Sequence, residues 1–272
     1  MTVRPELATV DGVPIAYRVL GSGPPAVLLH GGGPGCTAAL DFGPVLDRLA
    51  AHRRLILVDL PQYGDSGAPA ADGPAFGFHA RYVRGLLRQL GVEHADFVCQ
   101  SLGGSVAMRL AADRPGLVRR LVVTGSQPTA DPAGGDPALG RSVRQRYYGA
   151  GGPSRDKMRR LLAELEWFDP DLLPESTVDG RYAASTTAHG LALGLDFAAR
   201  GLPEDLGPAL ATVDAPVLLV WGAADPFAGP AYALALADRL PRADVAVLTR
   251  ASHHPQEERP ADYARLALAF LH

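Results

Sequence analysis

The sequence predicts an α/β protein built on a doubly wound, mostly parallel β-sheet with helices on both faces. Three observations lead there. Short apolar runs alternate with stretches of helical periodicity up to about Thr124 and again after about Gly207, the alternation that strand-helix-strand units require. Two runs, Ala26 to His30 and Leu55 to Val58, are apolar at nearly every position, as strands covered on both faces must be. From about Gln127 to about Gly207 the strands vanish and helical stretches appear between Pro/Gly-rich joints, which marks an insertion into the α/β pattern.

Taken in order, Ala8 to Val10 and Ile15 to Val19 flank Asp11-Gly12, a hairpin turn signal, so the sheet opens with an antiparallel pair. Thr37 to Ala51 carries Leu40, Val45, Leu46 and Leu49 at helical spacing and reads as one helix between the two buried strands. Phe78 to Leu90 is the next helix, Ala95 to Cys99 the next strand, Leu102 to Ala112 the helix leaving it, and Arg120 to Thr124 a further strand. The joints of the insertion are Asp131 to Gly140, Gly149 to Pro153 and Asp169 to Pro174. An element inserted after a strand's carboxyl end would cover the ligand crevice, so 128–207 reads as a helical lid on a core of 1–127 and 208–272. Val217 to Trp221, the helix Ala231 to Leu240 and Asp244 to Leu248 resume the pattern.

Composition narrows the function. At 272 residues and 47% apolar content the chain can bury a large core. The net charge of −3, with scattered basic residues and no aromatic-interleaved basic stripe, argues against a nucleic-acid partner and for a small molecule. The first twelve residues carry Arg4, Glu6 and Asp11 and do not resemble a signal peptide, and no uncharged apolar stretch would span a bilayer. The expectation is a cytoplasmic protein without a membrane partner, with homo-oligomerisation left open. Cys36 and Cys99 have no metal-ligand spacing and are too few for a disulfide framework. Lys157 stands alone against many arginines and carries no functional signal.

The chemistry starts at Phe97-Val98-Cys99-Gln100-Ser101-Leu102-Gly103-Gly104, a strand that turns sharply into a helix with a serine at its tip. Such an elbow is usually G-x-S-x-G, with Cys99 here in the first small position. By itself the pattern is equally that of a tight turn or helix cap. A serine hydroxyl is a weak nucleophile at neutral pH and needs an imidazole base steadied by a carboxylate. In chain order the candidates are Asp225, on the loop leaving Val217 to Trp221, and His253, on the loop after the last strand. An Asx turn before Pro226 is the plain alternative for Asp225, and His254 is the rival of His253. The adjacent histidines lack a third ligand for a metal, so none is expected. His52, His79 and His94 lie on or beside helices and read as surface residues. His30-Gly31-Gly32-Gly33-Pro34-Gly35 supplies backbone N–H groups after a buried strand, and Gly32 with Leu102 would form an oxyanion hole.

These pieces in this order resemble the α/β-hydrolase family across nearly the whole chain. Within it, His30 to Gly35 resembles the H-G-G-G-P-G loop of the meta-cleavage-product hydrolases, which break a carbon–carbon bond in hydroxy-oxo-dienoates. Trp221 to Phe227 is similar to that group's W-G-x-x-D-x-F, and His253 to Glu258 to its G-H-x-x-x-x-E, with Ser252 in the glycine's place. The resemblance implies an eight-stranded α/β-hydrolase fold with a helical lid, a Ser101, Asp225, His253 triad, and no cofactor. It also selects His253 over His254, and implies that Arg181 in Asp179-Gly180-Arg181-Tyr182 binds substrate. Gln100, Asp41 and His254 stand where the family has Asn, Asn and Trp near its pocket, and together with Gly33 they complete the expected substrate-binding set. An ionised Asp41 there would repel an anionic dienoate. The readings beside carbon–carbon hydrolysis are an esterase, lactonase or thioesterase acting on a secondary metabolite, a proline iminopeptidase, and a fold kept for ligand binding or cyclisation.

Overall fold

The computed structural model describes residues 4–129 and 137–272. Its sheet has eight strands: β1 (Glu6–Val10), β2 (Val13–Leu20), β3 (Pro25–Leu29), β4 (Arg54–Val58), β5 (Ala95–Gln100), β6 (Val118–Thr124), β7 (Val217–Gly222) and β8 (Ala243–Leu248). The spatial order is β1-β2-β4-β3-β5-β6-β7-β8. Only the β1/β2 and β2/β4 pairings are antiparallel. The opening hairpin turns on Asp11 and Gly12 at φ 48° and 79°, the left-handed pair that a two-residue turn between twisted strands requires.

The expected helix over Thr37 to Ala51 is broken. It becomes α1 (Ala38–Asp41), a 3₁₀ turn at Gly43–Val45 and α2 (Leu46–Ala50), because Pro44 lacks an N–H and disfavours helical backbone at the residue before it. Next come α3 (Ala75–Gln89) and α4 (Leu102–Asp113). In the insertion lie α5 (Pro137–Tyr148), α6 (Arg155–Leu161) running into a π-helical turn over Leu162–Glu166, α7 (Glu175–Ser185) and α8 (Ala188–Ala192). The Pro/Gly-rich joint expected over Asp131 to Gly140 falls partly outside the described residues, and from Pro137 onward it is helix. After α9 (Pro230–Ala237) the chain closes with α10 (Pro255–Glu258) and α11 (Pro260–Leu271).

Alternation along the strands builds two cores. Val27, Leu29, Phe97 and Cys99 pack with α3, α4 and α9, and Ala26, Leu28 and Val98 pack with α1, α2 and α11 on the other face. Neighbouring strands β3 and β5 therefore send their following helices to opposite faces. A crevice opens between their carboxyl ends, the place where sheets of this kind bind ligands. The insertion has a separate small core that includes Tyr147, Met158, Leu162, Trp167 and Val178. No helix of the described residues is long and apolar enough to cross a membrane. His79 differs from expectation. It is 2% exposed, packs edge-on to Phe78, and is held neutral with a pKa lowered to about 3 by burial and then by the charge of Arg200.

Candidate active site

Ser101 leaves β5 at φ 47° and ψ −114°, a conformation that costs a non-glycine residue on the order of 1–3 kcal/mol. The surrounding chain imposes it. The Ser101 N–H donates to Thr124 O at 2.7 Å and the Gly103 N–H to His30 O at 3.1 Å, so the elbow is tied on both sides. A Cβ on Gly103 would lie 2.3 Å from the carbonyl oxygen of Leu29, so the close passage of α4 over β3 demands a glycine there. Cys99, by contrast, is an ordinary buried strand residue registered against Leu29 and Val123.

Asp225 and His253 meet. The two residues are 6% and 5% exposed, and Asp225 Oδ2 lies 2.8 Å from His253 Nδ1. Asp225 Oδ1 meanwhile accepts the N–H groups of Phe227 at 2.9 Å and Ala228 at 3.4 Å. The Asx turn and the imidazole contact, alternatives in the sequence, are thus made by the two oxygens of one carboxylate. The loop bearing His253 is pinned from two directions. Gln100 Nε2 donates to His253 O at 2.9 Å, and Glu258 accepts the N–H groups of Ser252 at 2.5 Å and Phe168 at 2.6 Å. Phe227 stacks at 4.3 Å from the His253 ring, and Gly125 passes so close to it that a Cβ there would lie 2.6 Å from His253 Cε1.

The glycine loop is held as firmly. His30 Nε2 accepts the Leu60 N–H at 2.9 Å, so its proton is on Nδ1, which donates to Gly31 O at 2.7 Å. Asp41 Oδ2 accepts the Gly31 N–H at 2.8 Å. Gly32 packs on Leu102, where a Cβ would lie 3.3 Å from that of Leu102. Among the described residues no protein acceptor takes the N–H of Gly32 or of Leu102.

Behind this loop lies a buried charge network. Arg181, 1% exposed, donates from Nε to Pro34 O at 3.1 Å and from Nη2 to Glu166 Oε1 at 3.1 Å, with Nη1 at 3.5 Å from Asp41 Oδ1. His254 contacts Glu166 Oε2 at 3.3 Å and Glu257 Oε1 at 2.6 Å. Burial works against charge on His254, but Glu166 and Glu257 outweigh it and raise its pKa to about 9, so it is an imidazolium at neutral pH. Burial pushes the neighbouring Cys36 thiol well up, and it stays protonated.

A cavity of about 810 Å³ spans the elbow, the glycine loop and the insertion. Ser101, His253, Gly32, Gly33 and His254 line it; Arg181, Asp41 and Gln100 do not. The departure for these three has one cause. Each holds the loops from behind, by ion pairing or by a hydrogen bond to backbone. The insertion contributes wall residues that the sequence did not single out, above all Arg144, Arg200 and Glu166. No local pattern sets them apart from surface charges on amphipathic helices. Among the described residues no group of three or more His, Cys, Asp or Glu side chains could hold a metal ion.

Residues 25–260 match the α/β hydrolase fold family. The chain belongs to that family. It is 32% identical over 271 residues to the 2-hydroxymuconate semialdehyde hydrolase of Pseudomonas sp. (strain CF600), covering 92% of this chain and 88% of the relative. It is 30% identical to the 2-hydroxy-6-oxononadienedioate/2-hydroxy-6-oxononatrienedioate hydrolase of Burkholderia vietnamiensis (strain G4 / LMG 22486), covering 94% and 90%. A solved meta-cleavage product hydrolase from Pseudomonas fluorescens IP01 has a TM-score of 0.85 at 23% identity, with 97% of this chain and 96% of that one covered. The eight-stranded α/β-hydrolase architecture read from the sequence is the fold of the protein.

Proposed function

We propose that the protein is a serine-nucleophile hydrolase that cleaves the carbon–carbon bond of a 2-hydroxy-6-oxo-dienoate. The observation that carries this reading is the buried Asp225–His253 contact beside the strained Ser101 on a cavity wall that also bears Gly32. With its Nδ1 proton directed to Asp225, the His253 Nε2 is an acceptor. It takes the Ser101 proton as Oγ adds to the ketone carbon, and the carbonyl oxygen moves into the N–H pair of Gly32 and Leu102 as it becomes an oxyanion. The dienol is first ketonised, its 2-hydroxyl proton lost and one gained at C5, so that collapse breaks the carbon–carbon bond with its electron pair delocalised into the 2-oxo group as a dienolate, which takes the proton from His253. Water activated by the same imidazole then releases the acyl group as an acid, so one water is consumed overall.

Two relatives named for such substrates, similar over nine-tenths of the chain, support the substrate class. Within this reading Arg181 positions the glycine loop in place of touching substrate, since Asp41 and Glu166 already neutralise it. The repulsion of a dienoate expected from Asp41 is offset by its contact with Arg181. A small-molecule substrate taken up in the cytoplasm, with no nucleic acid involved, completes the proposal.

Labelling with a fluorophosphonate probe tests the nucleophile, and loss of dienolate absorbance on incubation with 2-hydroxy-6-oxo-6-phenylhexa-2,4-dienoate tests the reaction. Labelling of wild type and none of Ser101→Ala is the expected result. Full turnover by Ser101→Ala would overturn the proposal.

A further inference from the structure

Among the described residues, two guanidinium groups in the cavity wall have no carboxylate partner. Arg144, on α5 and 7% exposed, donates from Nη2 to Gly32 O at 2.6 Å and to the Tyr63 hydroxyl at 3.2 Å. Arg200, from the end of the insertion, donates to the same hydroxyl and lies 4.9 Å over the Tyr63 ring. Tyr63 in turn donates to Gly32 O at 2.9 Å, so its one proton and both lone pairs are taken. Among the described residues no carboxylate lies within ion-pair distance of either arginine. The acids on the cavity wall are committed elsewhere. Glu166 faces Arg181 and His254, and Glu204 faces Arg109 at 3.5 Å and the N–H of Gly77 at 2.9 Å. Two like charges converging on one hydroxyl repel, and burial without an opposite charge adds to that cost. The remaining N–H groups of both side chains are not sealed from solvent, and both residues line the cavity.

We infer that Arg144 and Arg200 form a carboxylate-binding subsite on the Tyr63 side of the cavity, one that selects substrates carrying an acid group a few bonds from the attacked carbonyl. This rests on the serine-hydrolase reading. Arg144 grips the carbonyl of the residue whose N–H polarises the substrate, so the acid and the reacting carbonyl are registered against one short stretch of loop. Planar guanidinium forks suit a planar carboxylate, and a bound anion removes the repulsion between them. Arg181 would be the obvious carboxylate ligand, but its own two acids occupy it.

The test compares 4-nitrophenyl hydrogen adipate with 4-nitrophenyl hexanoate, which differ by a terminal carboxylate in place of a methyl group. Arg200→Gln is expected to lower the ratio of kcat/KM for the hemiadipate to that for the hexanoate at least tenfold, mainly through KM, with Arg200→Lys recovering part of it. Arg144→Gln should lower the ratio likewise, with an added kcat loss on both esters because Gly32 O loses its donor. Adipate binding to Ser101→Ala, measured by calorimetry, reports the subsite without turnover, and the added change Arg200→Gln should abolish it. A ratio unchanged within twofold, or adipate affinity unaffected by the arginine substitutions, overturns the subsite. Adipate binding that depends on Arg200 in a protein inert to both esters and to the dienoate would instead sink the hydrolase reading and leave the subsite standing.

Discussion

Gly125→Ala should disable the triad while leaving the protein folded. Gly125 is at φ +57°, and a Cβ there would lie 2.6 Å from His253 Cε1, 2.7 Å from Nδ1 and 3.2 Å from Asp225 Oδ2. Ordinary contact begins near 3.4 Å, so the ring must retreat by about 0.8 Å or the loop must move. Either change stretches the 2.8 Å contact with Asp225. Displacing a catalytic group by roughly 1 Å costs on the order of a hundredfold in rate, and loss of the carboxylate's hold on the tautomer adds to it. The left-handed backbone costs alanine roughly 1–2 kcal/mol. A second variant separates the two effects. Gly12→Ala, at φ +79° in the β1/β2 turn with nothing within 4 Å of the new Cβ, carries comparable backbone strain and no clash. Steady-state kinetics on an activated ester, with melting temperatures for both variants, should show kcat reduced about 10² to 10³-fold for Gly125→Ala, and unchanged for Gly12→Ala. Both should melt a few degrees lower. If kcat in Gly125→Ala stayed within threefold of wild type, the placement of His253 against Asp225 would be wrong.

His253→Ala should cost about a thousandfold or more in kcat, measured on the same ester, because the unactivated hydroxyl remains; a larger loss in His254→Ala would move the base by one residue. Arg181→Met should destabilise by about 3–5 kcal/mol in urea unfolding, since Asp41 and Glu166 are left buried without their cation, and a cost below 1 kcal/mol would mean that these acids are neutral. The raised pKa of His254 makes stability fall with alkalinity. Its charge contributes about 3 kcal/mol, fully present below pH 6.5 and lost as pH rises through about 9. Thermal melts of wild type and His254→Gln across that window should converge at the alkaline end, and a constant gap would refute the imidazolium.

The positions of the candidate triad were legible because each member follows a strand's carboxyl end, and strands covered on both faces announce themselves as unbroken apolar runs. Ser101, Asp225 and His253 needed only chain order and loop position. The glycine loop was legible for the same reason, since its conformational freedom is written in its composition. The break at Gly43-Pro44 was also visible in the residues, but the leucine spacing on either side outweighed it in the reading. His79 is a different failure. Its helix is amphipathic, and whether a histidine at the edge of the apolar stripe is covered depends on Tyr63 arriving from elsewhere in the fold.

The polar wall of the pocket was illegible because it depends on which charges find each other. Asp41, read locally, is an acid near the start of a helix that would oppose an anionic substrate. In the fold it accepts the Gly31 N–H with one oxygen and faces Arg181 with the other. Glu166, delivered by the π-helical turn after α6, takes a second edge of the same guanidinium. Asp41 and Glu166 together thus hold Arg181 behind the glycine loop. An arginine whose charge is already balanced by two buried carboxylates gains little by meeting a third. A site that still handles anions must then find its cation elsewhere, and the cavity offers it in Arg144 and Arg200, which converge on Tyr63 with no acid among the described residues to balance them. Replacing Asp41 by a neutral amide tests that exchange. In Asp41→Asn, Arg181 loses one of its two acids and becomes free to take part in carboxylate binding. The hemiadipate selectivity lost in Arg200→Gln should then recover in part in the double variant, and no recovery would show that Arg181 is confined by Glu166 alone.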